Sequence, residues 1–150
     1  MIDAWQSGRF VTYPVPGWSG LPWSSLLVPE WRKLKNKSVA EIVARQWSFA
    51  HESILYDLID VPKSHQMMVR YEDFLKNRTH EVQRICKFVE VPSGPRMEAL
   101  YSNELPLSRY TLSPPDANKW RRPETEIDAV MPQLDAILQK LEWIIPTPAA

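Results

Sequence analysis

Apolar residues recur at helical spacing from Ser38 to Asp60, and this stretch predicts a long helix. Ser38 followed by Glu41 is a capping-box pattern that marks the helix start. Val61-Pro62 marks its end, because the residue before a proline is pushed out of helical conformation. We expect one apolar stripe to face the core, with Trp47 buried against the next predicted long helix. The stripe consists of Val39, Val43, Trp47, Ala50, Ile54 and Leu58.

Helical spacing also appears in two later stretches. Thr79 is expected to cap a helix that Val91-Pro92 ends. The apolar face of this helix consists of Val82, Ile85, Cys86 and Val89. A last helical region is predicted from Pro123 to Leu141, where Pro132 must kink or divide the helix. Residues 1–10 and 95–103 are predicted as short helices.

A short apolar run, Met67-Met68-Val69, precedes the polar corner Arg70-Tyr71-Glu72-Asp73. A run of that length, closed by polar residues, predicts a strand buried on both faces. Asp73 is expected to cap the short helical turn that follows. Phe10 to Tyr13 is the best available neighbouring strand, and it is a poor one. The chain is therefore predicted to be mainly α, with one or two short strands.

The composition is that of an ordinary globular protein whose net charge creates no strong electrostatic field. The 150 residues suit a single domain over 1–150, and Lys+Arg and Asp+Glu are both 18. This balance argues against nucleic acid as a partner. Asp3 and the absence of a basic first segment argue against a signal peptide, and no apolar run approaches the roughly 18 residues of a membrane span. With one cysteine and no metal-ligand spacing among the histidines, we expect a cytoplasmic protein without a metal site.

The strand, corner and helix from Gln66 to Val91 resemble the C-terminal half of sulfotransferases that use 3′-phosphoadenosine 5′-phosphosulfate (PAPS). The corner R-Y-E-D and the later R-I-C-K-F-V-E-V-P carry the resemblance. Val39 to Ile59 resembles the long helix before that strand. Met1 to Phe10 resembles the helix after the family's 3′-phosphate motif, and Lys119-Trp120-Arg121 resembles a late segment near the nucleotide. The resemblance spans nearly the whole chain but only the back half of the family's domain, which is P-loop-like α/β.

The resemblance implies PAPS as the cofactor, with Tyr71 near its adenine. It also makes Lys119, Arg121 and Arg122 candidate phosphate partners, since arginine is suited to bidentate phosphate contacts. Core packing of Tyr71 and ordinary surface charge at the three cations are the alternatives.

Catalysis by the chain alone is not expected. A PAPS donor needs a Gly- and Lys-containing loop at a helix N-terminus, and the four glycines lie in no such setting. In the family that loop and its catalytic lysine lie upstream, so we assign no catalytic residue and expect no PAPS binding by the chain alone. The sequence thus indicates the C-terminal portion of a sulfotransferase-like domain. The alternative is a standalone small-molecule-binding or protein-interaction module.

Residues 11–37 form a proline- and tryptophan-rich loop with two open interpretations. Trp18, Trp23 and Trp31 form either an acceptor-substrate lid or an aromatic core under the loop itself. The predicted strand at 66–70 is expected to pair with another polypeptide segment. Its unpaired edges predict a homo-oligomer through this strand, or pairing with a missing N-terminal half.

Overall fold

The computed structural model describes residues 1–12, 14–103, 107–114, 116 and 118–144, with the side chains of all but 142–144. It is mainly helical, as predicted. The helices are α1 (Ile2–Ser7), α2 (Val39–Asp57), α3 (Tyr71–Lys76), α4 (Arg78–Phe88), α5 (Pro95–Ser102) and α6 (Glu124–Ile144). Short 3₁₀ helices lie at Trp31–Leu34, Lys63–His65 and Lys119–Arg121. Within these described ranges β pairing is limited to one isolated antiparallel bridge, between Val11 and Ser24.

Contacts divide the chain, predicted as one domain, into two compact units. The first unit comprises Met1–Asp57 and Leu112–Ala150, and the second comprises Leu58–Thr111. The long helices α2 and α6 pack together in the first unit, where α1 also contacts α2. The second unit contains α3, α4 and α5 in consecutive contact. Among the described helices, none is long and apolar enough to cross a membrane.

Helix α2 is the centre of the first unit and is buried on two sides. On one side Ala40 and Ala44 pack with Ile2 of α1 and Val130 of α6. On the other side Ile42 packs with the tryptophans of the 11–37 loop. The single-stripe prediction is therefore wrong: Trp47 is only half-buried, stacked on His51 with 4.0 Å between ring centroids. A helix that contacts two layers buries a wider arc than one stripe, so positions between the predicted ones become core.

The start of α2 follows a local sequence signal. At the start of α2 the Ser38 N–H donates to Glu41 Oε2 (2.9 Å), and the Glu41 N–H donates to Ser38 Oγ (3.2 Å), which confirms the capping box. Hydrogen bonds from Lys37 and from Ser38 lower the pKa of Glu41 to about 2. Helix α6 continues through Pro132, so of the two predicted outcomes, a kink or a division, the division does not occur.

The second unit corrects two predicted helix caps and the predicted strand. Helix α4 begins at Arg78 and is capped by Asn77, whose Oδ1 accepts from the His80 N–H at 3.2 Å; Thr79 lies inside the helix. Asp73 lies inside α3 and does not cap it. Residues 66–70 form no strand, because no neighbouring strand among the described residues pairs with them. Met68 and Val69 are each 40% exposed, so the predicted burial on both faces is also wrong.

The two burial patterns predict different costs for two tryptophan substitutions. Trp23 is 1% exposed and makes edge-to-face contacts with Trp5, Trp18 and Trp31. Trp23→Ala should therefore lower the free energy of unfolding by about 3–5 kcal/mol. Trp47→Ala is the matched control and should cost clearly less, because its ring is half-buried. Urea unfolding followed by far-ultraviolet circular dichroism measures both, and a larger loss in Trp47→Ala would contradict this packing.

Candidate functional site

The polar corner of the second unit begins where the extended segment 66–70 meets α3. Arg70 has extended dihedral angles and is the residue before the first turn of α3. Tyr71 opens the helix and is 61% exposed, so its ring lies in solvent and not in the core. Arg70 Nε lies 3.9 Å from Asp73 Oδ2, across an exposed ion pair. The corner therefore presents an aromatic ring next to a cation and two carboxylates.

Arg84, paired with a buried carboxylate on the same helix, joins α4 to the segment before this corner. Glu81 is 6% exposed, and its Oε2 accepts from Arg84 Nε at 3.1 Å and Arg84 Nη2 at 2.7 Å. The same Nη2 donates to the Met68 carbonyl oxygen at 2.7 Å. His80 Nδ1 lies 3.1 Å from Glu81 Oε1. The bonds from Arg84 hold the pKa of Glu81 below its ordinary value of 4.5. Arg84 thus connects the extended segment to the helix through a charge-assisted network.

The three candidate phosphate partners lie in the first unit, at the 3₁₀ helix Lys119–Arg121. Lys119 is half-buried and its Nζ lies 3.5 Å from the Ser113 carbonyl oxygen. Arg121 stacks over the Trp120 ring at 4.9 Å. Arg121 and Arg122 are both exposed, so their guanidinium groups are accessible to an anion.

The three tryptophans proposed as a lid are brought together by the structure. Ring centroids of Trp18 and Trp23 are 4.7 Å apart, and Trp31 lies 6.3 Å from Trp18 and 6.2 Å from Trp23. Trp5 joins them, 5.4 Å from Trp23. This arrangement has the form of the aromatic core that was the alternative to a lid. Only Trp18 and Trp5 also line an open depression of about 370 Å³, beside Lys37.

Two residues that organise these regions were missed at the level of sequence. Gln46 lies on the buried side of α2, four residues after Ile42 and three before Phe49, and that spacing could have indicated a second apolar face. Arg84 lies three residues after Glu81, which predicts an ion pair, but nothing local indicates its bond to the distant Met68 carbonyl.

Neither a protein-family model, nor a curated protein, nor a solved structure matches this chain. Among the residues that the structure describes, no group of three or more His, Cys, Asp or Glu side chains could hold a metal ion. The site is therefore interpreted from its own residues.

Arg84→Met should destabilise the second unit in a pH-dependent way. The Arg84 guanidinium lowers the pKa of Glu81, so the pair contributes stability above the ordinary pKa of 4.5 and loses it as the pH falls through the lowered value. The difference in unfolding free energy between parent and variant should be large at neutral pH and shrink in acid. Urea unfolding of parent and variant, at neutral pH and again at acidic pH, measures this difference.

Lys87→Met is the control for this experiment. It removes one positive charge from the same helix without touching Glu81, and no ion pair of Lys87 is seen within the described residues. The control should show little pH-dependent loss. Equal losses in the two variants would contradict the role assigned to Arg84.

Proposed function

We propose that this chain is the C-terminal portion of a sulfotransferase-like domain, which transfers a sulfuryl group from PAPS to a hydroxyl acceptor. The observation that carries the proposal is Tyr71, whose ring is 61% exposed where the extended segment meets α3. The residues around it are those that resemble the family. An exposed tyrosine offers a flat face on which an adenine can stack.

The first unit, taken by itself, carries exposed cations of the kind that the resemblance assigns to phosphate contacts. Arg121 and Arg122 leave their guanidinium groups in solvent, where they can contact phosphate oxygens in a bidentate manner. The chain supplies these contacts without a Gly- and Lys-containing donor loop. The proposed contribution of each region is a secondary contact to the nucleotide within a complete domain, because PAPS binding and sulfuryl transfer both need the Gly- and Lys-containing donor loop.

A second candidate, a protein-interaction module without catalysis, is favoured by exposed apolar side chains in the second unit. Val89, Val91 and Leu100 are 51%, 50% and 59% exposed. Exposed apolar side chains mark a surface that another polypeptide covers where they form one contiguous patch. The DNA immediately upstream of the Met1 codon separates the two candidates. An in-frame strand, Gly- and Lys-containing loop and helix would support the sulfotransferase-like domain.

The purified chain alone should transfer no sulfate. Sulfuryl transfer needs a phosphate cradle, charge stabilisation and a base for the acceptor hydroxyl, and this sequence offers no candidate loop for the first. Incubation with labelled PAPS and a simple alcohol or phenol measures this. Detectable turnover would contradict the proposal that this chain alone lacks the residues for sulfuryl transfer.

The role of Tyr71 can be tested in a longer protein, expressed from a reading frame that extends upstream of Met1 and encodes a Gly- and Lys-containing loop. Tyr71→Ala should raise the KM for PAPS about tenfold, because stacking of a base on an aromatic ring contributes about 1–3 kcal/mol. Tyr71→Phe keeps the ring and is the matched control, with KM near that of the parent. An unchanged KM in Tyr71→Ala would contradict the adenine contact.

A further inference from the structure

The open depression of the first unit lies where the tryptophan-rich loop meets the start of α2. Its volume is about 370 Å³, within the range of about 300–1,000 Å³ that is typical of small-molecule sites. The lining comes from Trp5 of α1, from residues 18–21 of the loop, and from residues 36–39 and 42 around the start of α2. All of these residues belong to one compact unit, so the depression is complete within it.

The apolar side chains of the lining reach from the core to the surface. Trp5 and Ile42 are buried, at 1% and 3% exposed, while Trp18 and Val39 are half-buried. Leu21 is 43% exposed. A concave apolar surface of this kind can cover the apolar part of a small ligand.

The two indole rings of the lining are fixed in place and have no free N–H group. Trp18 Nε1 donates to the Leu21 carbonyl oxygen at 2.8 Å, and Trp5 Nε1 donates to Gln46 Oε1 at 3.0 Å. The Trp18 ring is also held by Trp23, with 4.7 Å between ring centroids. The rings therefore present carbon atoms to the depression, and such a surface favours contact with another aromatic ring.

The charged side chain of the lining is a cation. Lys37 lines the depression and is 52% exposed, and no carboxylate is among the lining residues that the structure describes. Lys37 Nζ donates to Glu41 Oε1 at 2.9 Å, but an ammonium group carries further donors. Asn36 and Ser19 also line the depression and are exposed, so their side chains can add neutral hydrogen bonds.

We propose that this depression binds a small aromatic carboxylate, with its ring against Trp18 and Leu21 and its carboxylate at Lys37. An aliphatic acid would lack the ring contact, and a neutral aromatic compound would lack the contact with the cation. The depression is too small for a folded partner, whereas one or two fused rings fit its volume. This binding does not depend on the proposed sulfotransferase-like function, because its residues differ from those assigned to the nucleotide.

Three probe compounds separate the contribution of the ring from that of the charge. Isothermal titration calorimetry of the whole chain should show that 2-naphthoate binds about tenfold more tightly than hexanoate, which has the same charge but no ring. It should bind about fivefold more tightly than 2-naphthamide, which has the same ring but no charge, because the ion pair with Lys37 is partly exposed. Equal affinities for 2-naphthoate and either of the other probes would overturn the proposal, as would a lack of 2-naphthoate binding.

Two lysine variants test the assigned cation. Lys37→Met should lower the affinity for 2-naphthoate to that for 2-naphthamide, and it should leave the affinity for 2-naphthamide unchanged. Lys33→Met is the matched control, because Lys33 lies in the same segment and pairs with Glu30 but does not line the depression. The control should bind 2-naphthoate as the parent does, and far-ultraviolet circular dichroism checks that both variants fold. Equal losses in the two variants would contradict the role of Lys37.

The position of the probe can be read from the indole N–H signals of the ¹⁵N-labelled parent. The Trp18 signal should shift with 2-naphthoate concentration along the same binding curve as the calorimetry. Trp120 is the control, because its ring is 47% exposed in the same unit but does not line the depression. A saturating shift of Trp120 with none at Trp18 would show that the probe binds elsewhere and would overturn the proposal.

Discussion

The buried amide of Gln46 is the interaction on which the first unit depends. Its Nε2 donates to the carbonyl oxygens of Ser24 (2.9 Å) and Leu26 (2.6 Å), and its Oε1 accepts from the Trp5 indole at 3.0 Å. One side chain thereby joins α1, the tryptophan-rich loop and α2. A buried polar group left without a partner costs about 1–3 kcal/mol. Among the described residues, no buried side-chain nitrogen or oxygen is left without a hydrogen bond.

In the second unit, too, long polar side chains donate hydrogen bonds to the backbone carbonyl oxygens of irregular segments. Gln66 Nε2 donates to the carbonyl oxygens of Leu58 and Val61, at 2.9 Å and 2.5 Å, and Arg84 holds the Met68 carbonyl. A chain with 14 prolines and four glycines has connections that neither helix nor sheet can satisfy. Long polar side chains take over that task.

The same arrangement relates the corner to its proposed function. Tyr71 follows directly after a segment that Arg84 fixes, so an exposed ring is attached to a backbone with a defined position. Trp23 is treated differently, because it is buried among three other tryptophans. Its contribution is therefore to the stability of the first unit. The exposed ring of Tyr71 can contact a ligand, whereas the buried ring of Trp23 stabilises the fold.

The sequence by itself determined the features that depend on neighbours a few residues away. The positions of α2, α4 and α6, the capping box at Ser38 and the polar corner at Tyr71 all follow from local spacing, caps and prolines. Tertiary structure decided what depends on distant partners. The second buried face of α2 exists because the tryptophan-rich loop packs there, and Arg84 matters because its partner is a carbonyl 16 residues away. The run at 66–70 has the composition of a strand, but a strand needs a neighbour, and backbone pairing is a property of two segments that no single run of residues can specify.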